Sequence, residues 1–232
     1  MSARLGSTAD SELSVAGLAS RIDHTVLSPE ATRAQVERIA VEAIELGCAS
    51  VCVQPEQVAF VSAILGGRLP ICAVVGFPHG ATLSRVKADE AAAVVALGAT
   101  EVDMVLGLGP VADGDLDEAR QDVASVRAAV PGVLLKVIVE SALWTPAVLR
   151  DVCIGAVDAG ADFVKTSTGF HRAGGATPEA VATMRAAVGS RAGVKASGGI
   201  RTLEDCRAMI AAGADRLGLS ATVAILAEFG GR

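Results

Sequence analysis

The chain has 232 residues and a formal net charge of −6, and 51% of it is hydrophobic with few aromatic residues, enough to bury the core of one large α/β domain. The acidic balance and the lack of a basic stripe exclude a nucleic-acid partner, and no apolar run approaches the ~18 residues needed to span a bilayer. Five scattered cysteines without a CxxC pair fit small core residues of a reduced, cytoplasmic protein.

Along the chain, residues 1–11 are polar and lack the basic-then-apolar pattern of a secretory signal, so they read as a short disordered tail ahead of a single domain over 12–232. Ser11 to Ala19 predicts a small helix closing the N-terminal end of the fold, followed by a first strand at Ile22 to Thr25 and an amphipathic helix over Pro29 to Leu46. A pattern then recurs four times: a helix-like stretch ends, a glycine follows (Gly47, Gly98, Gly160, Gly213), then a small residue and an apolar strand. Glycine suits the left-handed position that closes a helix. The spacings of 51, 62 and 53 residues are too long for one strand-helix unit and right for two.

Further strands fit between the repeats at Ile71 to Val75, Val133 to Val139 and Gly193 to Ala196, with amphipathic stretches at Thr82 to Leu97, Leu116 to Val130 and Thr202 to Ala212. Strand and helix alternating eight times predict a (β/α)8 TIM barrel. Five residues after each repeat glycine come Cys52, Asp103, Lys165 and Gly218, so Asp103 and Lys165 are expected to share one side-chain layer inside the barrel. Charge inside a barrel is costly unless paired or used; a purely structural ion pair is the alternative to a catalytic one.

Only four lysines stand against sixteen arginines, and three of them, Lys136, Lys165 and Lys195, lie in apolar strand-like segments. Arginine keeps its proton, whereas a buried lysine can become a neutral amine that attacks a carbonyl. Lys165 and Lys195 fall on neighbouring strands, where a second ammonium disfavours protonation of the first. One would form a Schiff base while the other supplied the cationic field, and spacing does not say which. The fourth, Lys87, falls on a helix and needs no role. Thr168-Gly169, Gly198-Gly199 and Gly218 to Ser220 follow the last three strands and form a candidate phosphate corner, with Arg201 beside it.

The segments Ile22-Asp23-His24-Thr25, Val75-Gly76-Phe77-Pro78, Glu101-Val102-Asp103-Met104-Val105, Leu135-Lys136-Val137-Ile138-Val139-Glu140, Lys165-Thr166-Ser167-Thr168-Gly169 and Lys195-Ala196-Ser197-Gly198-Gly199-Ile200-Arg201 together resemble, in order, the motif series of deoxyribose-phosphate aldolases. The resemblance covers about residues 20–220. It implies a metal-independent, cofactor-free class I aldolase that reversibly cleaves 2-deoxy-D-ribose 5-phosphate to D-glyceraldehyde 3-phosphate and acetaldehyde, in deoxyribose phosphate catabolism. It further implies Lys165 as the Schiff-base lysine, Lys195 as the lysine that perturbs its pKa and relays protons, and Asp103 as the proton donor and acceptor. Lys136, Asp23 and Glu140 would support that network. The expected partner is a small phosphorylated aldehyde or sugar, with a homodimer allowed and neither nucleic acid nor membrane.

The chain departs from the family pattern at Phe170, where some members have a phosphate-binding lysine, at Leu219 and at Ser28. It also has no tyrosine, and so cannot carry the C-terminal tyrosine that some members fold over the substrate. Phosphate binding would then rely on backbone amides and Ser220. Two rival readings are a metal-dependent barrel using His24, His79, His171 and Asp103, for which no HxH or HxxxH spacing is present, and a non-catalytic sugar-phosphate binder. A binder has little physical reason to bury Lys165, Lys195 and Asp103.

Overall fold

Eight parallel strands close on themselves in sequence order in the computed structural model, which describes residues 13–230. They are β1 (Ile22–Val26), β2 (Ser50–Val53), β3 (Ile71–Val75), β4 (Glu101–Val105), β5 (Leu134–Ile138), β6 (Phe163–Lys165), β7 (Gly193–Ser197) and β8 (Arg216–Leu219). The seam pairs β1 with β8, Asp23 opposite Gly218. The helices are α1 (Val15–Ala19), α2 (Arg33–Leu46), α3 (Val58–Leu65), α4 (Ser84–Ala96), α5 (Leu108–Ala112), α6 (Leu116–Ala129), α7 (Pro146–Asp158), α8 (Pro178–Val188), α9 (Leu203–Ala211) and α10 (Thr222–Ala227). This is the expected (β/α)8 barrel. The tail over 1–11 lies outside the described residues.

Local chemistry explains the boundaries. Threonine side chains at positions 32, 145, 177 and 202 accept from backbone N–H groups in the first turns of α2, α7, α8 and α9, satisfying donors that have no intrahelical partner. The cap at Thr32, reciprocated by Gln35, delays α2 until Arg33, four residues later than its amphipathic pattern begins. The four repeat glycines all adopt positive φ, between 69° and 114°. The N-terminal helix starts only at Val15, with Leu18 and Ala19 buried. No helix among the described residues is long and apolar enough to cross a membrane.

Most of the apolar core forms the annulus between strands and helices. Inside the barrel the apolar contribution is small, with Leu27, Cys52, Cys72 and Val74 buried together and Phe77 against them. Charged side chains fill much of the remainder.

One expectation is corrected here. Lys87 is fully buried and structurally engaged, its Nζ lying 2.6 Å from Asp122 Oδ2 on α6 and donating to the Val105 carbonyl at 2.9 Å. The same carboxylate oxygen accepts from Gly107 N–H, and the Lys87 stem runs so close to Gly76 that an added Cβ would meet it at 3.1 Å. The pair therefore ties α4 and α6 to the C-terminal ends of β3 and β4. Lys87→Met is expected to cost about 3–5 kcal/mol, because it strands a buried carboxylate. Thermal denaturation checks this, and Lys87→Met combined with Asp122→Leu should recover part of the loss.

Candidate active site

Alternation along each strand decides which charges enter the barrel. Asp23 on β1, Glu101 and Asp103 on β4, Lys136 on β5, Lys165 on β6, Lys195 on β7 and Arg216 on β8 all point inward and meet one another. Asp103 is the hub. Its Oδ1 accepts from Lys136 Nζ at 2.9 Å and from the Cys72 thiol at 3.1 Å, while its Oδ2 accepts from both Lys165 Nζ and Lys195 Nζ at 2.8 Å. Lys165 and Lys195 are directly opposite each other in the β6–β7 register. The shared layer expected from the repeat is thus present, and two amines converge on a single carboxylate oxygen.

The neighbours of the hub extend towards the N-terminal end of the barrel. Lys195 also donates to Asp23 Oδ2, and Lys136 donates to Glu101 Oε2 at 2.6 Å. Arg216 donates to Asp23 Oδ1 at 2.6 Å. Burial alone would raise the Asp103 carboxyl, but Lys136, Lys165 and Lys195 outweigh it and hold Asp103 well below the usual carboxylate range. Burial alone would likewise lower Lys195 and Lys136; for both, Asp103 leads the carboxylates that push the ammonium above its ordinary range. The carboxylates around Lys195 thus favour its ammonium form.

Lys165 differs from the other lysines in access. A cavity of about 560 Å³ opens at the C-terminal ends of the strands, lined by Lys165, Thr168, Gly169, Ser197 to Arg201, Gly218 and Ser220. Of the four lysines, Lys165 is the one in its wall. Gly218 is needed for packing as well, since a Cβ there would fall 2.9 Å from Ser197 Cβ and 3.3 Å from Lys195 Cε. Gly198, at φ 84°, lets its carbonyl accept from Ala176 N–H, and that oxygen would sit 2.1 Å from a Cβ on Gly175. The glycines thus fold the 169–176 segment down onto the β7 loop, beside the cavity.

Two expectations change. Glu140 lies just past β5 in a left-handed conformation (φ 49°), and its Oε1 accepts from both the N–H and the hydroxyl of Thr168. It anchors the loop after β6 rather than joining the lysine network, and Thr168 has already committed both its polar hydrogens to a carboxylate. The other residues expected at the phosphate corner, Gly169, Gly198, Gly199, Gly218 and Ser220, line the same cavity as Thr168. His24, for its part, is a buried residue of β1, with Nδ1 2.8 Å from Thr222 Oγ1 and Nε2 2.9 Å from Glu42 Oε2. Both ring nitrogens of this candidate metal ligand are thus engaged by protein partners. Among the described residues, the His, Cys, Asp and Glu groups close enough to share an ion contain no histidine.

Arg216 and Glu101 were missed from the sequence. Each lies two residues before an inward-facing position, Gly218 and Asp103 respectively, so strand parity was the signal that could have found them. Phe170 packs edge-to-face on Phe77, with ring centroids 5.2 Å apart, at the rim of the cavity.

Residues 18–228 match the DeoC/LacD family aldolase profile. A deoxyribose-phosphate aldolase of Mycobacterium avium is 56% identical over 220 residues, covering 93% of this chain and 98% of that protein. The deoxyribose-phosphate aldolase of Mycobacterium tuberculosis is 54% identical over 215 residues, covering 91% and 95%. The solved deoxyribose phosphate aldolase of Aeropyrum pernix, described as tetrameric, superposes with a TM-score of 0.87 at 36% identity, covering 94% of this chain and 92% of that one. Barrel, buried lysines and similarity over nine-tenths of the sequence agree: the chain belongs to the DeoC/LacD aldolase family.

Proposed function

We propose that this protein is a deoxyribose-phosphate aldolase that cleaves 2-deoxy-D-ribose 5-phosphate through a Schiff base on Lys165. The observation that carries the assignment is that Lys165, among the four lysines, lines the cavity while resting on the carboxylate shared with Lys195. Lys195 is fully buried behind it.

In the open-chain sugar, the neutral Lys165 amine adds to the C1 aldehyde, and the carbinolamine loses water to give an iminium. Proton removal from the C3 hydroxyl then breaks the C2–C3 bond. Its electron pair moves into the C1–N system as an enamine, and D-glyceraldehyde 3-phosphate leaves. Protonation at C2 and addition of water release acetaldehyde and regenerate the amine. Asp103, held ionised by its lysines, accepts and returns these protons through a water. Lys195 keeps a positive charge beside the amine, which disfavours a second one. The C5 phosphate is assigned to Gly169, Gly198, Gly199 and Ser220, which line the same cavity as Lys165.

Acetaldehyde followed by borohydride is expected to attach covalently at Lys165, read by peptide mapping, while EDTA leaves turnover intact. An adduct on Lys195 with Lys165 unmodified would overturn the division of roles. Loss of turnover with chelator and no adduct would favour a metal-dependent barrel.

A further inference from the structure

Positive charges outnumber negative ones inside the barrel. Four cations, Lys136, Lys165, Lys195 and Arg216, face three carboxylates, Asp23, Glu101 and Asp103. Around Lys165 on β6, the charged groups presented by the other strands are Asp23 from β1, Glu101 and Asp103 from β4, Lys136 from β5, Lys195 from β7 and Arg216 from β8. The thiols of Cys52 and Cys72 on β2 and β3 lie beside Asp103. Lys136 contacts all three carboxylates and Lys195 contacts two, which fixes their protons. Arg216 cannot release its proton. Lys165 pairs with Asp103 alone among the described residues, and Asp103 is shared with two other lysines. Shedding the proton of Lys165 brings the set to three against three.

Arg216 and Glu101 belong to this balance without lining the cavity. Arg216 enters from the first residue of β8, with its guanidinium 2.6 Å from Asp23 and 3.6 Å from Glu101. Glu101 enters from the first residue of β4 and grips Lys136.

We propose that Arg216 and Glu101 are positioning residues of opposite sign, acting from beneath the substrate cavity to set the pH at which Lys165 becomes a free amine. The proposal rests on Lys165 being the nucleophile. With Arg216 neutralised, the interior balances while Lys165 stays protonated, so the reactive amine appears only at higher pH. With Glu101 neutralised, the positive surplus grows and Lys165 loses its proton at lower pH. Two unit charges ~10 Å apart at an effective dielectric of ~20 shift each other by about one pH unit.

The test uses the full chain as wild type, Arg216→Gln, Arg216→Lys, Glu101→Gln and the Arg216→Gln/Glu101→Gln double variant, with circular dichroism to confirm folding. Two quantities are followed against pH: kcat/KM for cleavage, and the rate of borohydride trapping of acetaldehyde at Lys165. Arg216→Gln should move the acidic limb up by about one unit, and Glu101→Gln should move it down by a similar amount. Arg216→Lys, which keeps the charge, should leave the limb in place, and the double variant should return close to wild type. Limbs that stay put in both single variants, or move the same way, would overturn the proposal in favour of simple packing. If Arg216→Gln does not fold, the direction of the Glu101→Gln shift decides. Trapping at Lys195 in the wild type would instead sink the nucleophile assignment, a result separable from an unmoved limb with Lys165 labelled.

Discussion

Asp103→Asn is expected to separate covalent capture from turnover. The substitution keeps the size of the side chain but removes the one carboxylate that three lysine ammonium groups share. Positive charge inside the barrel then exceeds negative charge by a wider margin, so Lys165 should still present a free amine, and acetaldehyde with borohydride should still label it. Proton transfer to and from the C3 hydroxyl and C2 loses its carrier, and turnover should fall by about 10²–10⁴-fold. Single-turnover kinetics beside adduct mass spectrometry checks the split; a variant that neither labels nor turns over would assign Asp103 to amine activation. The same change breaks a buried ion cluster from its centre and should cost about 3–5 kcal/mol, visible in the melting temperature.

Lys165→Leu gives the opposite combination. It should abolish the adduct and reduce cleavage by at least about 10⁴-fold, the scale on which removal of a covalent nucleophile operates. Yet it removes the interior cation with the fewest carboxylate partners, so the fold should hold close to wild-type stability or gain slightly, since leucine fills the site without a charge to desolvate. Lys165→Arg should be as inactive as the leucine variant, because a guanidinium keeps the charge but never the free amine. Activity retained by either variant would remove Lys165 from the mechanism. An inactive Asp103→Asn that is much less stable, beside an inactive Lys165→Leu that is not, would distinguish the charge hub from the nucleophile.

The repeat glycines and apolar strands made the barrel readable, because both features reflect backbone constraints that act within a few residues. The meeting of Asp103 and Lys165 was readable for the same reason, since equivalent positions in a repeat occupy equivalent positions in the barrel. What depended on side-chain direction was harder. Asp23 and His24 are adjacent in sequence, yet one enters the ion network while the other is held between Thr222 and Glu42. Glu140 looked like part of the strand-five charge pattern. A left-handed turn just after the strand sends it to Thr168 instead, and no residue type announces that turn, since glycine is absent there. The burial of Lys87 was hidden because its partner, Asp122, is 35 residues away on another helix.

All four lysines of the chain are buried, and their exposures do not exceed 2%. An enzyme that releases acetaldehyde works in the presence of a reagent that condenses with any accessible primary amine. Here the outer surface carries its positive charge on guanidinium groups, which form no imine under these conditions. The aldehyde therefore finds its lysine amine at the cavity wall, and aldehyde cross-linkers or amine-directed immobilisation chemistries would find no exposed lysine to hold.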